Sequence, residues 1–397
     1  MRIVVIHNFY QYPGGEDESF RSEVRMLVEA GHEVVTFTDH NDRVELLGRV
    51  RTAIRTVWSM EAHHRLRAML REKKPDVVHV QNFFPLFSPS VFYAARAEGV
   101  PVIQSLRNYR LLCPDALFFR DGKVCEDCMG KAVPWPGVMH GCYRSDRMAT
   151  AAVAAMTSVH HLMGTWLDVV DLYVALTEFA RQKFIEGGLP ADKIVVKPNF
   201  VHPDPGLSLH SSDYMLFVGR LSQEKGISTL LQAWEQGQGR GKLRIVGQGP
   251  LQEEVQAAAD RLPNVEFLGQ RRVEEVYDLM AEAQALILPS EWYETFGRVA
   301  VEAFAKGTPV IAARIGAVAE LVDEGRTGLL FTPGDARDLR AKIDWALTQP
   351  HSMQMMGEEA RREYEAKYTA ARNYDQLIAI YEQAIVRTQA RMLTRTS

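Results

Sequence analysis

The chain has 397 residues, with 46 Lys and Arg against 50 Asp and Glu and a formal net charge of -4. That length exceeds what one hydrophobic core ordinarily serves, so two domains are expected. The near-balanced charge removes any global argument for a nucleic-acid partner, and the 46% hydrophobic and 24% charged shares are those of a soluble globular enzyme.

Residues 2–7 (RIVVIH) form an apolar run that ends in a polar loop, NFYQYPGGEDE. The run is too short and too soon polar for a signal peptide and reads as a buried first strand, which predicts a cytoplasmic protein. A helical pattern follows to Ala30 and is stopped by Gly31; HEVVTFT is a second strand. The stretch Arg43–Lys74 is strongly basic, with Arg49, Arg51, Arg55, Arg65, Arg67, Arg71, Lys73 and Lys74 around Trp58. It reads either as a solvated amphipathic face or as an interfacial helix that contacts anionic lipid, in which case it binds anionic vesicles weakly at low salt.

PDVVHV and VPVIQSL are short β-branched strands, and LYVALT is another. Between them lies Met148–Leu167, MATAAVAAMTSVHHLMGTWL, which contains no charged residue and approaches the length of a bilayer span of about 20 residues. Its small residues and His160-His161 argue for a buried or interfacial helix rather than a spanning one. Residues 198–213 are rich in Pro, Ser and His and lack periodicity, and make the linker.

After the linker the opening theme returns. YMLFVGRLSQEKG is a strand ending in glycine, ISTLLQAWEQ a helix, and KLRIVGQGP, NVEFLG, ALILP and TPVIAA supply further strands. Strands alternating with helices indicate parallel sheets, so the expected architecture is two doubly wound, Rossmann-like α/β domains with ligand at the carboxyl ends of the strands. The boundaries expected are 1–198, a linker at 199–213, 214–370, and a helical tail at 371–397 packing back towards the first domain. Tyr364, Tyr368, Tyr374 and Tyr381 anchor the charged helical C-terminal stretch.

The chemistry concentrates in the second half. Arg220 and Lys225 sit at a strand–loop–helix junction, where two cations make a diphosphate clamp; a pair of solvated surface cations is the plainer reading. Gly247 and Gly249 mark a tight turn where backbone approaches closely. In Pro289–Gly316, Glu294 and Glu302 stand eight residues apart around Thr295, Phe296 and Gly297 at the start of a helical pattern. Carboxylates hold hydroxyl groups and a helix N-terminus holds anions, so this loop suits a ligand carrying both hydroxyls and phosphates.

Taken together, GRLSQEKG, IVGQGPL, FLGQ, the spaced glutamates with TFG, TPVIA and GxxxELV resemble the retaining glycosyltransferases of family 4, which have the GT-B fold. The resemblance implies two Rossmann-like domains facing a central cleft, the second binding a nucleotide-sugar donor and the first the acceptor. It implies that Arg220 and Lys225 bind the diphosphate, Glu294 the transferred sugar and Glu302 the ribose. Phe296 and Gly297 would face the diphosphate, Gln270 begins the base-binding loop, and Gly14 and Gly15 of PGGEDE approach the donor phosphate. A UDP-sugar is the first donor expected and a GDP-sugar the second; the acceptor is a glycan or a lipid-linked molecule of cell-surface polysaccharide synthesis, with peripheral contact at the inner membrane face. No cofactor is required for catalysis, and no Asp-x-Asp pair marks a metal at the diphosphate.

Where this family commonly has a histidine, after VPVIQSL, the chain has Arg107. Arginine stays protonated, so it cannot act as a base; its expected role is to stabilise the leaving phosphate or an anionic acceptor. His79 is either a substitute or a strand-end histidine satisfied by its neighbours. Cys113, Cys125, Cys128 and Cys142 follow C-x11-C-x2-C-x13-C, compatible with a structural zinc site, two disulfides or four separate thiols. A branch of the resembled family shares this pattern as an insertion over 113–142. A nucleotide-sugar epimerase of the same fold and a catalytically impaired binding protein are the alternative functions.

Overall fold

A computed structural model describes residues 1–11, 14–208 and 213–396; Pro13 of the glycine loop and residues 209–212 of the expected linker lie outside them. The chain divides into two compact units. The first comprises Met1–Phe118, Glu126–Pro198 and the chain from Asn373 onward; the second comprises Phe119–Cys125 and Asn199–Arg372.

The strands of the first unit are β1 (Arg2–Phe9), β2 (Glu33–His40), β3 (Val77–Asn82), β4 (Val102–Leu106), β7 (Leu172–Ala175) and β8 (Ile194–Val196). A short antiparallel hairpin, β5 (Phe119–Arg120) with β6 (Lys123–Val124), interrupts them and clusters with the second unit. The sheet order is β2-β1-β3-β4-β7-β8, parallel throughout. Ile3–Ile6 and Val77–Val80 are fully buried, as strands covered on both faces must be. The helices are α1 (Gly15–Glu29), α2 (Arg43–Leu47), α3 (Arg49–Val57), α4 (Met60–Lys73), α5 (Ser90–Ala97), α6 (Trp135–His140), α7 (Arg147–Leu162) and α8 (Glu178–Glu186).

The second unit repeats the scheme. Strands β9 (Tyr214–Val218), β10 (Lys242–Val246), β11 (Val265–Gly269), β12 (Ala285–Leu288), β13 (Val310–Ala313) and β14 (Gly328–Phe331) form a parallel sheet in the order β11-β10-β9-β12-β13-β14. Helices α9 (Ile227–Gln236), α10 (Gln252–Arg261), α11 (Val273–Glu282), α12 (Arg298–Lys306), α13 (Gly316–Leu321), α14 (Ala336–Thr348) and α15 (Pro350–Lys367) connect or cover the strands; α16 (Ala370–Thr396) closes the chain and passes into the first unit. On α9, Ile227, Leu230, Leu231 and Trp234 are buried at helical spacing against Met215, Phe217, Ile245 and Ile311. Each such side chain contributes about 1.5–3 kcal/mol on burial.

This strand order has one decisive consequence. β9 lies between β10 and β12, so chain winding reverses there, and the loops after β9 and β12 open outward at the same end of the sheet. The loops carrying Lys225 and Glu294 are those two.

The ten strands expected from the sequence form, and α9 has the bounds anticipated for it. β8, β14 and the β5–β6 hairpin are additional. Asn199–Ser208 and Asp213, expected as a free linker, cluster with the second unit, where Arg361 holds Asp204 at 2.7 Å. Met148–Leu167 divides into α7 and a π-turn at Thr165–Val169. Val153, Met156, Thr157 and His160 face inward while Met148, Val159 and Leu162 remain exposed, so the charge-free segment is amphipathic in exposure rather than in sequence.

Candidate active site

The β9 loop leaves the sheet at Gly219-Arg220, makes a 3-10 turn at Gln223–Lys225, and enters α9 through Gly226, whose φ is +71°. A Cβ on Gly226 would lie 1.8 Å from the carbonyl oxygen of Pro289, at the end of β12. Glycine here lets the two loops touch backbone to backbone, and the Glu291 N–H donates to the Glu224 carbonyl at 2.9 Å. The β10 loop locks on the other side. Cβ atoms on Gly247 and Gly249 would meet the carbonyl oxygens of Gly219 and Leu221 at 1.8 and 2.4 Å. These two glycines therefore serve the close approach of the chain to itself.

That loop stack brings Lys225 and Glu294 together. Lys225 Nζ donates to Glu294 Oε1 at 2.8 Å, and Ser290 Oγ donates to the same carboxylate oxygen at 2.5 Å. Glu294 is 7% exposed. Burial alone would raise its carboxyl, but the Lys225 charge and the hydrogen bonds from Lys225 and Ser290 hold it below its ordinary value. Lys225 also lies 5.2 Å from the Trp292 ring centroid, within cation–π range. The result is a buried, ionised carboxylate beside an ammonium group whose side chain is 24% exposed.

The rest of the Pro289–Gly316 loop is shaped by its glycines. Gly297, at φ +95°, precedes α12, and Gly316, at φ +56°, starts α13 against the Tyr293 and Glu294 backbone. Phe296 is buried and meets the Tyr368 ring edge-on at 6.1 Å, which anchors the loop. Thr295 is half-buried beside it. On the first turns of α12, Arg298 Nε donates to Glu302 Oε1 at 2.8 Å. Glu302 thus lies one helical turn into α12 and already carries a cation. Arg220 is exposed. Gln270 is exposed beyond the end of β11, the edge strand two positions from β9. Neither is brought into the Lys225–Glu294 pair.

In the first unit, Gly14 is the N-cap of α1; its N–H donates to Asp17 Oδ2 at 3.3 Å, and Gly15 is the first helical residue. Its φ is -135°, and a Cβ there would have nothing within 4 Å. Neither backbone angle nor packing asks for glycine at 14, so open space is its only structural effect. Asp17 also pairs with His7 Nε2 at 2.8 Å, both side chains buried. This pair, like Ser290 and Arg298, was not anticipated, although Arg298 stands four residues before Glu302 and was legible as a helical ion pair.

Arg107 is 5% exposed, with Nη2 3.8 Å from Glu23, in a buried cluster with Lys197 and His79. Glu23 accepts from Lys197 Nζ at 3.1 Å and from Gln81 at 2.5 Å. His79 has one ring nitrogen on Tyr381 at 2.9 Å and the other on Ser105 at 2.8 Å, which makes it a satisfied strand-end histidine. Lys197 also donates to Asn373 at 2.8 Å, tying the start of α16's first-unit portion to the end of β8. Burial pushes the Glu23 carboxyl up, yet the Lys197 charge, with His79 and Arg107, holds it well below the usual carboxylate range. This cluster holds together α1, β3, β4 and α16.

The cysteines also depart from expectation. All four are free thiols, which removes the disulfide reading. Among the described residues no group of three or more His, Cys, Asp or Glu is placed to hold a metal ion. Cys128 Sγ instead accepts the Gly137 N–H at 3.2 Å. The residues present therefore do not fit the expected zinc site. The basic stretch Arg43–Lys74 is largely neutralised: Arg55 and Arg65 pair with Glu61, and Arg67 and Arg71 with Glu98. Among the described residues no helix is long and apolar enough to cross a membrane.

Comparison with known proteins places these features. Residues 204–363 match the family model described as glycosyl transferases group 1, and residues 14–199 match that of a glycosyl transferase 4-like domain. Sulfoquinovosyl transferase SQD2 of Arabidopsis thaliana is 25% identical, covering 94% of this chain and 72% of its own. D-rhamnosyltransferase WbpZ of Pseudomonas aeruginosa is 35% identical over 162 residues, 40% of this chain and 42% of its own. Among solved structures, Anabaena Alr3699/HepE in complex with UDP superposes with a TM-score of 0.68 at 19% identity, covering 96% of this chain and 99% of that one. Sucrose-phosphate synthase from Thermosynechococcus elongatus gives 0.66 at 18% identity, covering both chains fully.

Proposed function

We propose that this chain, which belongs to the GT-B glycosyltransferases, transfers a sugar from a nucleoside diphosphate to a glycan or lipid-linked acceptor with retention of anomeric configuration. The observation that carries this reading is the 2.8 Å contact between Lys225 and Glu294, made by two loops that meet where the sheet's winding reverses. Departure of the donor's diphosphate builds negative charge on the leaving group and positive charge on the sugar ring. Lys225, with the exposed Arg220 on the same loop, stabilises the first; the ionised Glu294 orients the sugar hydroxyls and sits near the second. Because Lys225 is held in place by Glu294 before any ligand arrives, little reorganisation is needed when charge develops. Glu302 takes the ribose, and the open space at Gly14 admits a phosphate near the α1 N-terminus.

A UDP-sugar is the first donor to test, since a structural relative was solved with UDP and with UDP-glucose, and a GDP-sugar is the second. Replacing Glu294 by Ala tests the assignment: sugar transfer and donor hydrolysis should be lost while UDP affinity changes little. Survival of transfer would remove Glu294 from the reaction. The anomeric configuration of the product, read by proton NMR, decides the retaining part of the proposal.

A further inference from the structure

The outward side of α7 is apolar along its whole length. Met148, Ala152, Ala155, Val159 and Leu162 recur at helical spacing on one stripe, with no charge among them. Met148 is 78% and Leu162 83% exposed, so among the described residues nothing covers either end. At 16 residues the stripe extends about 24 Å.

Two neighbouring helices add to it. Arg49 Nη2 reaches the α7 N-cap residue Asp146 at 3.4 Å, and His160 Nε2 donates to the Val57 carbonyl at 2.9 Å. These contacts lay α3 beside α7 from end to end. From α3, Val50 and Ile54 are exposed at 74% and 63%. On α6, which leads directly into the α7 turn, Trp135 and Met139 are exposed one helical turn apart. A monomeric soluble surface seldom leaves so many large apolar groups on three adjoining helices.

No Asp or Glu lies on α3, α6 or α7 themselves. Arg49, Arg51, Arg144, Arg147 and Lys131 are exposed on these helices and their connections. Asp146 is occupied by the α7 N-terminal N–H groups and Arg49, and Asp168 lies beyond the far end of the helix. A second copy of this chain set against the same face would oppose these arginines with its own, which disfavours a symmetric dimer. A surface of anionic headgroups over hydrocarbon matches both the cations and the apolar stripe.

We infer that the α3–α6–α7 face is an interfacial membrane-docking surface, on which α7 lies in the plane of an anionic lipid leaflet with Met148, Val159 and Leu162 inserted. This moves the lipid contact from the basic stretch as a whole to its α3 portion and to the charge-free helix beside it. The inference touches the proposed function only through the acceptor, which it makes lipid-linked.

The test is flotation of the full chain with vesicles of phosphatidylcholine alone and of phosphatidylcholine with phosphatidylglycerol, at low and high salt. UDP binding and melting temperature are measured on the same samples. The wild type should float with the anionic vesicles at low salt and less so at high salt. Leu162→Glu and Val159→Glu should each lower the bound fraction about tenfold or more. Both side chains are exposed, so melting and UDP binding should not move. Failure to float with either vesicle, or undiminished flotation of both variants, overturns the surface. A dimer in free solution that the same substitutions dissociate would assign the face to a second copy instead. Loss of UDP binding in the wild type with flotation intact would refute the donor reading and leave this one standing.

Discussion

Lys225 and Glu294 belong to different loops, and the account requires that they be coupled before any ligand binds. Glu294→Gln keeps the side chain's shape but turns a charge-assisted hydrogen bond into a neutral one, at a site 7% exposed. The expected loss of folding stability is about 1.5–3 kcal/mol, the usual worth of hydrogen bonds to charged groups. Lys225 is 24% exposed at its side chain, so solvent screening reduces its own contribution, and Lys225→Met should cost about 1 kcal/mol. The double variant should then show a coupling of about 1–2 kcal/mol at neutral pH, measured from urea midpoints of the four proteins. The sign with pH follows from the lowered Glu294 carboxyl: its stabilisation is present above the ordinary carboxylate value of 4.5 and fades as pH falls through the folded value. Additivity within about 0.3–0.5 kcal/mol at neutral pH would refute the coupling.

Three further outcomes are expected. Gly226→Ala places a Cβ 1.8 Å from the Pro289 oxygen at a positive φ; it should cost about 1–3 kcal/mol or more and weaken nucleotide binding by parting the two loops, as urea denaturation and titration would show. Glu23→Gln leaves Lys197 and Arg107 buried without their carboxylate, so it should cost about 3–5 kcal/mol at neutral pH. Because the folded Glu23 carboxyl is depressed, the gap from wild type should narrow below about pH 4.5 as the wild type loses its advantage, which a pH series of melting temperatures would read. Chelation by EDTA should leave the melting temperature unchanged, because the cysteines are not gathered into a ligand set; a large drop would restore the zinc site.

Much of the donor half was legible in the sequence because its signals are local. Short apolar runs mark β9 and β10, each followed by glycine, and β12, followed by Pro289, and the loops after β9 and β12 carry the charged residues. What joins those residues is not local: 69 positions separate Lys225 from Glu294, and their contact follows from β9 and β12 being neighbours across the reversal in strand order. β8, at three residues, was too short to rise above the apolar background; length does not explain β14, which at four residues equals β7, β12 and β13. The surroundings of Arg107 are likewise not local: Glu23 on α1 and Lys197 after β8 gather beside it from distant parts of the chain. The cysteine spacing permitted a metal site, but spacing says nothing about where each thiol points. The segment Met148–Leu167 was read as a buried or interfacial helix; its burial pattern shows one side of α7 in the core and the other exposed.

The most direct test of the central claim is calorimetric titration of UDP and GDP into the wild type and Lys225→Met. The account predicts that the wild type binds at least one of them, and that the variant binds it about 10- to 150-fold more weakly, the equivalent of one charge-assisted contact to the diphosphate. Equal affinity in the two proteins, or no binding of either nucleotide to the wild type, would contradict it.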